Sequence, residues 1–124
     1  WGRASTSGPA FSLEGVAVKL TELDPKWIMR GDQRVGFTFL SPKGKQGNTR
    51  WRQSCFSVAL PAREQWELFD DDNVQHCNPA CAWLISGGIE SASFETMTVT
   101  PSLDGSQGGL WHGFITNGEI VGGL

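Results

Sequence analysis

The chain has 124 residues, of which 39% are hydrophobic, 19% are charged and 16 are glycines, and its formal net charge is -3. This length fits one domain with its own core. The net negative charge gives no attraction to a phosphate backbone, so nucleic acid is not an expected partner. No apolar run approaches the roughly 18 residues of a membrane span, so we expect a soluble protein without a membrane partner.

The first twelve residues differ in composition from the rest. Residues 1–12, "WGRASTSGPAFS", are small, polar and punctuated by Gly and Pro, which predicts an extended N-terminal arm. An arm that begins with Trp is suited to docking on a neighbour, and we assign Trp1 and Phe11 as partner-binding residues. Residues 13–124 are expected to form a single β-rich domain.

Period-2 alternation predicts strands in the first half of that domain. "FSLEGVAVKLTEL" alternates Val16, Val18 and Leu20 with polar or small residues, and "RVGFTFL" does the same with three apolar side chains. "GNTRWRQSCFSVALP" reads as a further strand, and its pairing with "RVGFTFL" through a Gly-rich loop predicts a hairpin. Residues 62–69 are the only candidate helix. The run of three Asp after Phe69 is expected to end this helix at a solvent-exposed position.

The second half contains three more strand patterns, namely "ACAWLIS", "FETMTVTPSL" and "LWHGFITNGEIVG". In the last of these, Asn117-Gly118 lies between apolar runs, which is the strongest short signal for a hairpin turn. The predicted fold is therefore mainly β: a small antiparallel sandwich or partly open barrel with at most one short helix.

The cysteines leave three interpretations open. Cys55, Cys77 and Cys81 are an odd number, which favours a reducing compartment. A structural zinc ion needs four ligands, and only one close Cys pair exists, so any metal set would be Cys55, Cys77, Cys81 and His112. The alternatives are buried thiols and a Cys77–Cys81 disulfide. Buried thiols are the preferred interpretation, with no cofactor.

No catalytic constellation stands out. Asp70, Asp71 and Asp72 lack the ligand spacing of a calcium loop, and no Gly-x-Ser-x-Gly nucleophile motif occurs, so the protein is not expected to be an enzyme. The six Trp with no Tyr favour core packing, although exposed indoles also make protein or sugar platforms. The expected core indoles are Trp27, Trp51, Trp66, Trp83 and Trp111.

Three stretches resemble an uncharacterised family of small phage and prophage proteins. They are "DPKWIMRGDQRVGFTFLSPKG", "WLISGGIESASFETMTVTPSLD" and "WHGFITNGEI", and together they span about residues 24 to 120. The family pattern has a Cys-Pro-x-Cys-like knuckle and a terminal Trp-His region that look like a zinc-ribbon site. Ser41 and Lys43 occupy the knuckle positions here, and neither replaces a thiolate ligand. We therefore expect His112 to form a hydrogen bond across strands instead of binding metal.

The resemblance implies a non-enzymatic phage structural or interaction protein, such as a virion accessory or capsid decoration protein. It implies capsid or other virion subunits as partners, further copies of the chain as a possible homo-oligomer, and a location in the virion or the host cytoplasm. Two alternatives stay open at this point. One is a zinc-binding interaction module acting in the host cell, and the other is a glycan-binding module using exposed Trp faces.

Overall fold

The computed structural model describes residues 18–42, 52–76, 82–104 and 111–122. The predicted arm with Trp1 and Phe11 lies outside these residues, as do Lys43, Trp51 and the close cysteine pair. The described part contains two 3-10 helices, at Leu20–Leu23 and Ala62–Glu67. Its strands are β1 (Val18–Lys19), β2 (Lys26–Arg30), β3 (Gln33–Leu40), β4 (Arg52–Phe56), β5 (Leu68–Asp70), β6 (Gln75–His76), β7 (Leu84–Ile85), β8 (Val99–Asp104), β9 (His112–Thr116) and β10 (Glu119–Val121).

These strands form two five-stranded antiparallel sheets. Sheet I has the order β1-β10-β9-β8-β7, and sheet II has the order β4-β3-β2-β5-β6. The prediction of a mainly β, antiparallel, sandwich-like fold is confirmed. Among the described residues, no helix is both long enough and apolar enough to cross a membrane.

Two predicted hairpin pairings are present. β9 and β10 pair through a two-residue turn in which Asn117 has φ 49° and Gly118 has φ 75°. Both values are positive, as a type I′ turn requires. β3 and β4 pair antiparallel, as predicted, and Phe37 is opposite Cys55; the Gly-rich loop lies outside the described residues.

The main core lies between the sheets because the alternating side chains of β3, β8 and β9 point inward. In β9 the pattern is strict: Gly113 and Ile115 are buried, whereas His112, Phe114 and Thr116 are exposed. The buried members of this core are Leu20, Phe37, Phe39, Cys55, Ile85, Met97, Val99, Leu103, Trp111, Ile115 and Ile120. A smaller cluster of Ile28, Val35, Phe56 and Leu68, packed by Leu60, forms a second core.

The helix predicted over residues 62–69 is wrong. The structure has a 3-10 helix at Ala62–Glu67 with no buried residue, and the chain enters β5 directly at Leu68. Leu68 is fully buried and pairs with Arg30 of β2. A segment of about two turns gains little from local helix formation, so pairing with β2 decides its last residues.

Two further expectations need correction or refinement. Trp66 is 62% exposed, so it is not a core residue, whereas Trp111 is fully buried as predicted. Trp27 and Trp83 are half-buried and pack against the main core. In the described part of the first alternating segment, β1 leads directly into a 3-10 helix, which buries Leu20 completely.

Candidate functional site

The backbone of Trp111 is held by side chains from sheet II. Its N–H donates to Oε1 of Gln53 at 3.0 Å and to Oγ of Ser41 at 3.1 Å, and its C=O accepts from Nε2 of Gln53 at 3.1 Å. The indole Nε1 donates to the carbonyl of Gly122 at 2.8 Å. Trp111, Gln53 and Ser41, which we call the Trp111 clasp, are all buried, so the start of the Trp-His-Gly stretch has a structural role. Ser41 contributes a buried hydroxyl to it.

His112 lies on the outer face of sheet I with its side chain 54% exposed. Its Nε2 is 3.5 Å from Oγ of Ser102 on the neighbouring β8, and its Nδ1 is 4.0 Å from Oδ1 of Asp104. These are cross-strand contacts at the limit of hydrogen-bonding and ion-pair distance.

Cys55 lies in the core between the sheets and is fully buried. Burial raises the pKa of the Cys55 thiol, which keeps it protonated and makes it a poor ligand and nucleophile. The structure therefore does not bring Cys55 and His112 together. Within the described ranges no group of three His, Cys, Asp or Glu side chains is placed to hold a metal ion. Cys77 and Cys81, the other two candidates, are outside those ranges.

Asp70 is a buried charged group that sequence reasoning missed, because the run of three Asp suggested a solvent-exposed end of a helix. Its side chain is only 4% exposed, and Oδ2 lies 2.9 Å from Nε2 of His76. Oδ1 accepts the backbone N–H groups of Asp72 at 2.8 Å and Val74 at 3.0 Å. Burial alone would raise the pKa of Asp70, but the hydrogen bonds from His76, Val74 and Asp72 outweigh it and lower the pKa. The carboxylate fixes the turn between β5 and β6.

An aromatic stack lines a shallow groove of about 340 Å³ at the edge of the main core. The indole of Trp27 stacks on Phe94 at 4.1 Å, and the Arg34 guanidinium carbon lies 4.0 Å from the indole centroid. Nη1 of Arg34 also donates to the carbonyls of Ile89 and Ala92, each at 3.2 Å. Phe94 and the Arg34 guanidinium thus cover most of the Trp27 ring surface, which leaves little of it free to stack on a sugar ring.

The 3-10 helix at Ala62–Glu67 and β5 carry two exposed apolar side chains, Trp66 and Phe69, which we call the Trp66 patch and which are 62% and 38% exposed. Val74 is 54% exposed, but it lies opposite Asp70 in the β5–β6 hairpin and therefore on the other face from Phe69. Gln75 pairs with Phe69 in the ladder and donates its side-chain N–H to the Trp66 carbonyl. The Val74 carbonyl accepts the N–H of Asp70 at 3.0 Å. The backbone that carries Trp66 and Phe69 is therefore held by hydrogen bonds to β6.

Charged pairs border the Trp66 patch. Arg30 of β2 contacts Glu64 at 3.0 Å and Glu67 at 3.1 Å, both in the 3-10 helix that bears Trp66. Lys26 contacts Asp72 at 3.3 Å, and the pKa of Lys26 is raised chiefly by its hydrogen bond to Asp72. Ion pairs thus lie on the same segments as the exposed apolar side chains, and in each cluster two carboxylates face one cation.

Comparison with protein-family models, with curated proteins and with solved structures returned no match to this chain. The geometry of the described residues therefore provides the structural basis for a functional assignment.

Proposed function

We propose that the protein is a non-enzymatic phage-type structural or interaction protein that attaches to virion subunits as an accessory or capsid decoration protein. The observation that carries the proposal is the Trp66 patch. A large indole 62% exposed on a braced backbone is typical of a residue that anchors a protein contact. The resemblance of three sequence stretches to phage proteins supports the choice of virion subunits as the partner.

The shape of the patch suits a protein surface. Interface anchors are enriched in Trp, and a ring of polar residues around them excludes water from the contact. Glu64 and Glu67, in the same 3-10 helix as Trp66, both pair with Arg30 and so place polar groups beside the exposed indole. A partner with an apolar pocket and a mixed polar border would fit it.

The experiment is a co-sedimentation assay with purified phage particles. We compare the wild-type protein with Trp66→Ser and with a control, Val58→Ser, which changes an exposed apolar residue outside the patch. Because Trp66 is largely exposed, its substitution is expected to leave the thermal midpoint nearly unchanged. We expect wild type and the control to bind particles, and Trp66→Ser to lose affinity by about tenfold or more.

Two outcomes would overturn the proposal. One is a wild-type protein that stays in the supernatant with particles and retains no virion subunit in a pull-down. The other is a Trp66→Ser variant that binds particles as tightly as wild type.

A further inference from the structure

The turn between β9 and β10 contains the only Asn-Gly pair in the sequence, Asn117-Gly118. An asparagine deamidates when the next backbone nitrogen attacks its side-chain carbonyl carbon, and glycine hinders this attack least because it has no Cβ. The Gly118 nitrogen loses its proton and bonds to Cγ of Asn117, the Cγ–Nδ2 bond breaks, and ammonia leaves with that proton. Water then opens the resulting succinimide ring to aspartate or isoaspartate. In the unfolded chain, Asn117 is therefore the asparagine expected to react fastest.

Three hydrogen bonds hold the backbone of this turn in the folded protein. The Gly118 N–H donates to the Met97 carbonyl at 2.8 Å, and the Gly118 carbonyl accepts the Leu20 N–H at 2.8 Å. The Asn117 N–H donates to Oγ1 of Thr98 at 3.0 Å. The turn is thus fixed between the segment that leads into β8 and the 3-10 helix that follows β1. The nitrogen that must attack is buried and already bonded.

The conformation of the turn also keeps the reacting atoms apart. Asn117, with φ 49°, is the first central residue of a type I′ turn, which sets its ψ near about +30°. About the Cα–C bond of Asn117, the Gly118 nitrogen then lies nearly opposite Cβ, whereas ring closure needs the two side by side. The reaction therefore requires ψ to rotate and the hydrogen bond between Gly118 and Met97 to break.

We propose that Asn117 is a deamidation site whose reaction rate is set by local opening of the β9–β10 turn. The closed turn does not react, and each opening exposes the Gly118 nitrogen to the Asn117 side chain. The reaction needs only water, and loss of ammonia makes it irreversible. This proposal concerns sheet I and does not depend on the Trp66 patch or on the proposed function.

Conversion changes the turn permanently. Isoaspartate adds one CH2 group to the main chain of a two-residue turn, so the pairing of Thr116 with Glu119 no longer has its original geometry. Either product adds a carboxylate to a polar depression of about 350 Å³ that Glu95 and Glu119 also line, with Lys19 as the one cation among its described lining residues. Deamidation therefore weakens the attachment of β10, and of β1 beyond it, to sheet I.

Peptide mapping by mass spectrometry measures the conversion. The wild-type protein is incubated folded and, at the same pH and temperature, unfolded in guanidinium chloride. Asn73, which is followed by the branched Val74, is the internal reference because a branched neighbour hinders the attack. Hydrogen exchange at the Gly118 amide measures turn opening independently, since exchange also requires the Gly118–Met97 bond to break.

A matched pair of variants tests the role of the hydrogen bonds. Thr98→Val removes the acceptor of the Asn117 N–H and keeps the branched shape of the side chain. Thr100→Val makes the same change at an exposed position of β8 that pairs with Leu84. The amides of β3, a central strand of sheet II, report unfolding of the whole domain in each variant.

We expect Asn117 to react more slowly in the folded protein than in guanidinium chloride, by the same factor that protects the Gly118 amide from exchange. Thr98→Val should accelerate the folded reaction about twofold to tenfold, which corresponds to the loss of one hydrogen bond, and leave the unfolded rate unchanged. Thr100→Val should change neither rate. The converted protein should have a lower thermal midpoint than the starting material.

Four results would overturn the proposal. The first is equal conversion in the folded and unfolded protein, and the second is conversion at Asn117 in guanidinium chloride that is no faster than at Asn73. The third is a Thr98→Val variant that reacts no faster than Thr100→Val. The fourth is an increase in β3 exchange as large as that at Gly118, which would assign the acceleration to unfolding of the whole domain instead of the turn.

Discussion

The side-chain amide of Gln53 in sheet II pairs with both the N–H and the C=O of Trp111 beside sheet I. These bonds are 3.0 Å and 3.1 Å long, and both residues are buried. The Gln53 amide thus makes the two hydrogen bonds that the backbone of a neighbouring strand would make with Trp111. One polar side chain in an apolar core fixes the position of one sheet against the other.

Replacing Gln53 by Leu should remove this link while keeping a similar volume. The Ser41 hydroxyl still accepts the Trp111 N–H, but the Trp111 carbonyl loses its Gln53 donor. We expect the free energy of unfolding to fall by about 1–3 kcal/mol, measured by urea denaturation. Gln33→Leu, at an exposed position of β3, is the matched control. An equal loss in the two variants would contradict the role given to the clasp.

The buried carboxylate of Asp70 should make stability depend on acid. Its pKa in the folded protein lies below the ordinary value of about 3.9. A lowered folded pKa stabilises the protein above pH 3.9, and this contribution is lost as the pH falls through the folded value. Asp70→Asn should reduce the unfolding free energy by about 1–3 kcal/mol at pH 7 and should flatten its decline below about pH 5.

The measurement is a series of urea unfolding curves from neutral to acidic pH. Asp32→Asn, in the exposed β2–β3 turn, provides the comparison. If Asp70→Asn kept the full acid dependence of wild type, the stabilisation would have to come from another group.

Alanine substitutions at Gly118 and Gly31 can separate the stability cost of backbone strain from the cost of steric crowding. Both have positive φ, 75° and 61°, but a Cβ at Gly118 would collide with the carbonyl of Glu95, whereas nothing lies within 4 Å of one at Gly31. Gly31→Ala should cost about 1–2 kcal/mol from strain alone. Gly118→Ala should cost a further 1–3 kcal/mol or so, because its neighbours are backbone atoms that must shift. Thermal unfolding of both variants checks this, and equal midpoints would show that the hairpin turn adapts freely.

Arg34→Lys should loosen the loop that follows β7. Arg34 donates to the Ile89 and Ala92 carbonyls from one planar group that also stacks on Trp27. An ammonium cannot make this combination of contacts. We expect the amides of residues 88–92 to exchange with solvent about tenfold faster, which corresponds to roughly 1.4 kcal/mol, as measured by hydrogen exchange. Arg63→Lys, which is exposed in the 3-10 helix, should leave the exchange rates unchanged. Unaltered exchange in Arg34→Lys would mean that the loop is held by other contacts.

Local patterns determined much of the architecture. The alternation of Val35, Phe37 and Phe39 with smaller or polar residues predicted a strand with an inward face, and Asn117-Gly118 predicted the turn between β9 and β10. These features depend on near neighbours: side chains alternate along a strand, and a two-residue turn needs positive φ. The cysteines and His112 were singled out by residue type alone. The structure separates Cys55 in the core from His112 on the outer face.

The tertiary structure decided what lies at each surface. Asp70 was expected to be exposed and Trp66 to be buried, and the structure shows the reverse. Two backbone N–H groups and His76 bind the Asp70 carboxylate in its buried position. In the neighbouring segment Leu68, not Trp66, is the buried residue, and it pairs with Arg30 of β2. Nothing in the sequence around Gln53 predicts its hydrogen bonds to Trp111, because Trp111 is distant along the chain and only the folded structure places it beside Gln53. The sequence by itself thus determined several strands, among them β3 and β4, and the turn between β9 and β10, because those preferences act over a few residues, whereas β5 and β6 depended on pairing with β2. Burial, polar pairing and the exposed apolar surfaces were settled only by contacts between segments that are distant in sequence.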